Sequence, residues 1–554
     1  MAEQVQAAVE VPENEVTVQE TTWDDSIALS RFLMIKSFDP GYIKQEKLTC
    51  NRLNGSSIRN CMKDIVKRLI VSNPTQIINF LKKAVLSNSS TSVDSGLWCL
   101  ALCFRQSESK EFTKLLRENF NALVRSSDDL LHFACYFSMQ GNEKLCFGSA
   151  MRKALTGWYD SKSPTELLEL VFATESIRSV SHQDILKQLH PKFENEDKNE
   201  IVKAIYKDYD AIKEAAESST TFKKILKYRD LKRCKEVHEV LSILKRKDFV
   251  YKLVHLPKNA LKSPEALDLI VPNMSFVEVV NKIVEFSDKK LLKVQESVSR
   301  KICNELQASN KVIKEAKLNP LYVFSILKSL ETKLAFGEKI FANPFVIKKL
   351  QNIFQQSLSD QPKTGCRFYV TLDFRKFSKR QSFVEGMDKI SCAEAQIVFA
   401  LTLLKNEKEV TIMTFTDDRN KLKPVTWSAA TTFEKAMKEF EASIKETPKT
   451  KENIEMSLKK AIEDKKKVDV FVTFVSSIGR TRGGHAKPPF EDLQSYRKAM
   501  DLKMAKLVVV NMTRKSTDFE YKKRDESETG ILELVGFNPE SLRVIEAFAK
   551  NHFL

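Results

Sequence analysis

From Ser30 to about Ser359, apolar residues recur at intervals of three and four, as in Ile58, Met62, Ile65 and Leu69, or Leu167, Leu168, Leu170 and Val171. That spacing puts them on one face of a helix. The predicted helix starts are marked by capping residues. Ser163-Pro164-Thr165-Glu166 combines a capping serine, a proline at the first helical position and a glutamate able to cap back, and Ser263-Pro264-Glu265, Asn319-Pro320 and Asn343-Pro344 repeat the cap-then-proline order. Helices of roughly 12–16 residues separated by short connections bury their faces only by stacking. The pattern predicts a HEAT-like helical array, a solenoid or ring, although no fixed sequence period is visible. At Asp360-Gln361-Pro362-Lys363-Thr364-Gly365 the pattern changes. A buried strand at 366–378 and continuous apolar strands at 410–416, 468–475 and 506–512 then alternate with helical text at 392–404, 432–445, 453–464, 491–501 and 539–549. This alternation predicts a doubly wound parallel sheet covered on both faces, with ligands beyond the carboxyl ends of its strands.

A chain of 554 residues exceeds one hydrophobic core. The expected division is an acidic disordered tail over 1–25, a helical-repeat domain over 26–361 and an α/β domain over 362–554. No apolar run is long enough to cross a bilayer and no basic-then-apolar leader opens the chain, so a cytoplasmic or nuclear place is expected. Ten cysteines then meet a reducing compartment. Cys99 and Cys103 lack a second pair at zinc-ligand spacing and read as buried thiols. The net charge of +17 favours anionic partners. Residues 1–29 contain seven acids and no Lys or Arg, so the excess lies entirely downstream, about two-thirds of it in the helical part. A basic surface that only keeps the protein soluble fits the same count.

The strand at 366–378 delivers Asp373 to the top of the sheet. An Asp there, with serines two and four residues later, resembles the opening of the metal site in a von Willebrand factor A domain. Here those positions hold Arg375 and Phe377. A hard divalent cation needs several oxygens, and a guanidinium and a phenyl ring supply none. The later loops add Glu452 near the expected threonine and Ser476 in place of the expected Asp, with Ser378 and Thr450 as neighbouring oxygens. The reading is a degenerate site with no divalent cation and no other cofactor. Arg375, Lys376, Lys379 and Arg380 would instead share one sheet edge with Arg480, Arg482, His485 and Lys487. Gly479, Gly483 and Gly484 would let backbone approach a ligand. Such an edge suits an anion or an acidic partner, and equally suits a connecting loop with incidental charge.

A helical array followed by an A-like domain resembles the TROVE-domain proteins, the Ro autoantigen family. The resemblance is carried by Ser30-Arg31-Phe32-Leu33 and Tyr42-Ile43-Lys44-Gln45-Glu46-Lys47-Leu48, by Ala150-Met151-Arg152-Lys153-Ala154 with Trp158-Tyr159, by Ser181-His182-x-Asp184-Ile185-Leu186-Lys187-x2-His190-x-Lys192, and by the segment from Gly530 to Phe537. It implies a HEAT-like ring closed by the A-like domain, binding small Y-type RNA on its outside and single-stranded 3′ ends of misfolded noncoding RNA in its hole. RNA quality control by a monomer, not catalysis, is the implied role. Arg152, Lys153, His182, Lys187, His190 and Lys192 are the candidate RNA contacts.

The same residues admit plainer roles. Arg152 and Lys153 suit a solvated helix face, and His182 suits a helix start. Ala173 and Ile177 stand where the resemblance leads one to expect a Lys and an Arg, with Arg178 displaced by one. No P-loop, nucleophile elbow or HExxH is present, so the expectation is a binding protein. The competing expectation is a protein-interaction scaffold that docks partners at the A-like domain without a metal.

Overall fold

In the computed structural model, the described residues are 24–37, 41–43, 56–140, 145–246, 250–294, 296–335, 343–359, 361–374, 382–416, 418, 421–444, 453–475, 489–517, 519 and 530–553. Helices run from Asp25–Ile35 through Pro344–Ser357, and an α/β unit follows. The helix starts expected from local chemistry form as such. Ser163 and Glu166 make a reciprocal capping box ahead of the Pro164–Phe172 helix, and Ser263, Asn319 and Asn343 accept from first-turn amides behind their prolines. One expectation moves. Asp24 caps the first helix, and Asp25, placed in the acidic tail by sequence, forms a bidentate pair with Arg68 at 2.7 and 2.8 Å. Residues 1–23 lie outside the described residues.

The strands are β1 (Gly41–Ile43), β2 (Phe368–Leu372), β3 (Phe383–Val384), β4 (Met387–Ser391), β5 (Val410–Phe415), β6 (Leu422–Pro424), β7 (Val470–Val475), β8 (Lys506–Asn511) and β9 (Ile531–Val535). Seven form one sheet in the order β1-β9-β8-β7-β2-β5-β6. All of its pairings are parallel except β5 with β6, while β3 and β4 form a separate hairpin. The sequence reading contained β2, β5, β7 and β8 but missed β1, β6 and β9 of this sheet and the β3–β4 hairpin. β1 comes from the chain before the main helical array and adds a strand beside β9, Tyr42 opposite Leu534, covering an edge otherwise open to pairing.

Alternation along the strands divides them between two cores. Tyr369, Phe471, Leu507, Val509 and Ile531 pack with Leu458, Leu493 and Tyr496 on one face. Val370, Val472, Val508, Val510, Leu532 and Leu534 join a cluster continuous with the helical array. Both ends of that array then meet a single element. The Pro539–Ala549 helix touches the Asp25–Ile35 and Pro74–Ser87 helices and also the Pro320–Ala335 helix. At its first turn, one Glu540 carboxylate oxygen accepts from the Tyr42 hydroxyl and the Thr91 hydroxyl, each at 3.0 Å. Asn319, the cap of the Pro320–Ala335 helix, donates to the Pro539 carbonyl at 2.9 Å. Burial first, and the Glu540 charge second, push the Tyr42 phenol well above its usual range. The array is closed through the α/β unit.

Replacing Glu540 by Ala removes the charged acceptor of two hydroxyls, one on a tyrosine only 1% exposed. The expected cost is about 2–4 kcal/mol in urea unfolding, against about 1 kcal/mol for Tyr42→Phe, which removes the donor together with the need for an acceptor. A Glu540→Ala protein as stable as the parent contradicts this role for the first turn of the closing helix.

Candidate nucleic-acid interface

The Ser149–Asp160 helix opens at Gly148 without a side-chain cap. Arg152, in its first turn, donates from Nε to the Phe147 carbonyl at 3.0 Å and from Nη1 to the Leu189 carbonyl at 3.5 Å. Leu189 ends the His182–Leu189 helix, whose orphan carbonyls favour a cation. Lys187 lies in that helix's last turn, His190 is its left-handed cap (φ 46°, ψ 53°), and Lys192 follows two residues on. Arg152, Lys153, Lys187, His190 and Lys192 are all exposed. Five of the six candidate residues are therefore gathered around one helix end.

Charge pairing separates these cations from their neighbours. Lys198 binds Asp160 at 2.9 Å and Lys203 binds Glu196 at 2.8 Å, whereas Arg152, Lys153, Lys187 and Lys192 form no ion pair among the described residues. Sequence reading missed Tyr206, which is 54% exposed. Its ring stacks parallel to His190, with centroids 6.1 Å apart and planes 11° apart, and its hydroxyl meets His190 Nδ1 at 3.1 Å. An exposed aromatic beside unpaired cations is the signal that could have marked it.

His182 is the exception. It is 2% exposed, with Nε2 2.7 Å from the Ser127 hydroxyl and Nδ1 2.8 Å from the Tyr159 hydroxyl, and it lies parallel to Trp158. Both ring nitrogens are occupied, so the RNA-contact expectation gives way to a core role. Burial lowers its pKa to about 4. Ala173 is likewise buried. Arg178 occupies a left-handed position (φ 48°) in the two-residue turn closed by Ile177 and Val180, and it is exposed.

A family model, the Ro60 vWA domain, matches residues 367–549. A curated relative, "RNA-binding protein RO60" of Caenorhabditis elegans, is 21% identical over 599 residues, covering 95% of this chain and 88% of the relative. The crystal structure of the Deinococcus radiodurans RO (RSR) protein superposes with a TM-score of 0.74 at 16% identity, covering 96% of this chain and all of that one. Across both its helical array and its A-like domain, the chain is similar to Ro-family proteins. Its helical array closed by a von Willebrand factor A-like domain is the Ro architecture.

In that A-like domain Asp373 is fully buried. Its amide donates to Gln396 Oε1 at 2.8 Å, and Gln396 Nε2 donates to its carbonyl at 3.1 Å, fixing the strand end against the Cys392–Asn406 helix. The Cys392 thiol is pushed up to about 12, by burial first and then by the Asp373 charge. Arg375, Lys376, Phe377, Ser378, Lys379 and Arg380 lie outside the described residues, as do Thr450, Glu452, Ser476, Arg480, Arg482, His485 and Lys487. Among the described residues no three metal-ligating side chains cluster. In sequence, Arg375 and Phe377 stand where two serine oxygens belong, a donor set that does not fit a hard divalent cation.

The His182 geometry has a consequence in pH. Its folded pKa lies below the ordinary value near 6.5, so the unfolded state binds the extra proton and stability falls as pH drops between them. Buried His255, also lowered to about 4, acts in the same window. Between pH 7 and pH 5, His182 should remove about 2 kcal/mol of unfolding free energy. Denaturation of His182→Gln across that range should show a correspondingly shallower pH dependence, and an unchanged slope contradicts the buried neutral imidazole.

Proposed function

We propose that this chain binds small noncoding RNA, gripping the phosphate backbone with the arc around the end of the His182–Leu189 helix. The observation that carries the reading is the set of four exposed cations without acidic partners among the described residues, beside an exposed stacked His190–Tyr206 pair. Cations supply sequence-independent affinity by releasing condensed counterions, and aromatic faces accept unstacked bases. The relative's printed name supports the ligand class.

The finer reading follows the family. The RNA is a Y-type RNA or a misfolded noncoding RNA with a single-stranded 3′ end, and the role is quality control and stability of RNA by a cytoplasmic monomer. No step of this function calls for catalysis. Asp373 organises the strand end, and the basic loops 375–380 and 479–488 of the A-like domain meet an anion or an acidic partner without a bridging metal.

Binding to a hairpin RNA carrying a 3′ single strand should weaken steeply with salt and exceed binding to a blunt duplex. Lys187→Glu with Lys192→Glu should make the plot of log affinity against log salt shallower by about 2, roughly 1 for each phosphate contact removed. Fluorescence anisotropy across a salt series reads both quantities. Unchanged affinity and slope in the double variant contradict the assigned arc.

A further inference from the structure

Next to the arc lies a cavity of about 370 Å³, lined by Phe172, Gln183, Tyr209, Tyr228, Arg229, Lys232 and Arg233. Its lining holds three cations, three aromatic rings and one amide, but no carboxylate. A second cavity of about 450 Å³ shares only Tyr228 with it and contains Glu169 and Asp197. The contrast matters because carboxylates repel an anion that cations attract, so of these two cavities the first suits a negatively charged group better, with the nearby Asp230 carboxylate occupied by the Tyr209 hydroxyl at 2.7 Å.

The cations are held in place. The Arg233 guanidinium lies 4.0 Å from the Tyr209 ring centroid, and Arg229 lies 5.8 Å from that of Phe172. Arg229 donates to the Lys207 carbonyl at 3.1 Å and the Ala204 carbonyl at 3.2 Å, while Lys232 donates to the Phe172 carbonyl. Each retains further N–H groups. Partial burial lowers the pKa of both Arg229 and Lys232, a strain on the charged form that an arriving anion relieves. The two carbonyls that Arg229 holds flank Tyr206, so cavity and phosphate-gripping arc share one turn of chain.

We infer that this cavity receives a single nucleotide turned out of the bound RNA, its base stacked on the Arg233–Tyr209 pair and its phosphate beside Arg229 and Lys232. The inference rests on the RNA-binding reading above and adds a site to it. The volume suits one nucleotide, since ligand pockets begin near 300 Å³. A guanidinium plane already laid on a tyrosine offers a preformed stacking surface. A bulge or loop would supply such a nucleotide at low unstacking cost, and a continuous duplex would not.

The test uses the full chain and two hairpin RNAs that differ by one bulged 2-aminopurine. The wild-type protein should bind the bulged RNA roughly tenfold more tightly than the continuous one, with quenching of the 2-aminopurine as it stacks. Tyr209→Ala should lose the preference and the quenching while keeping its affinity for the continuous hairpin, and Tyr209→Phe should keep both. Because a wall residue can affect folding, exposed Arg233→Gln is the second variant and should lose the preference too. Equal wild-type binding to the two RNAs without quenching overturns the inference and leaves the RNA-binding reading intact. Binding to neither RNA overturns both.

Discussion

Two consecutive residues at the start of one C-terminal helix hold the beginning and the end of the helical array together. Glu540 receives hydroxyls from Tyr42 and Thr91, and Pro539 offers its carbonyl to Asn319, which also caps the last part of the array. These partners are separated by 498, 449 and 220 residues, so their meeting fixes the path of everything between them. β1 adds a second tie by joining the edge of the sheet at β9, and the apolar cluster runs without a break from the helices into that sheet. An open array is free to flex at every helix pair. A closed one presents its surface groups in a single fixed arrangement, as a polyanion with its own regular geometry requires.

Local chemistry was legible in the sequence and long-range chemistry was not. Capping residues act within three or four positions, so helix starts such as Ser163 and Ser263 could be read directly. The runs at β2, β5, β7 and β8 are apolar enough to declare buried strands. β9 escaped notice because Glu533 interrupts its apolar run, although that glutamate is fully buried. β1 is three residues long and is a strand only because β9 pairs with it. The segments that carried the family resemblance prove to be mainly structural. Arg31, Phe32 and Leu33 are buried, Tyr42 closes the array, and Trp158 donates to the Val124 carbonyl at 2.7 Å. Gly536 adopts φ +73° and leaves no room for a Cβ, which would sit 2.8 Å from the Glu385 carbonyl oxygen.

The interface was legible in part for the same reason. Exposed lysines on a short helix look alike in sequence whether or not a helix end gathers them, and the bond from Arg152 to Leu189 spans 37 residues. His182 could not be assigned from its neighbours, because Ser127, 55 positions away, and Tyr159, 23 away, take both its nitrogens. Tyr206 sits among lysines and alanines and shows its role only through stacking on His190. What distinguishes the arc is less its number of charges than their freedom: nearby lysines are neutralised by acids within 3 Å, and these are not. At the other pole, Asp373 turns its backbone amide and carbonyl to Gln396. The A-like domain thereby serves the closure of the array, to which it contributes the sheet edge and the closing helix.

The central claim is that the closed helical array, through the arc from Arg152 to Tyr206, is where RNA lies. The most direct measurement is photocrosslinking of the full chain to a 4-thiouridine-substituted hairpin with a single-stranded 3′ end, followed by mapping of the crosslinked peptides. The account predicts crosslinks between residues 150 and 207, including the peptides that carry His190 and Tyr206. Crosslinks confined to the A-like domain, or their absence under conditions where the RNA is bound, would contradict it.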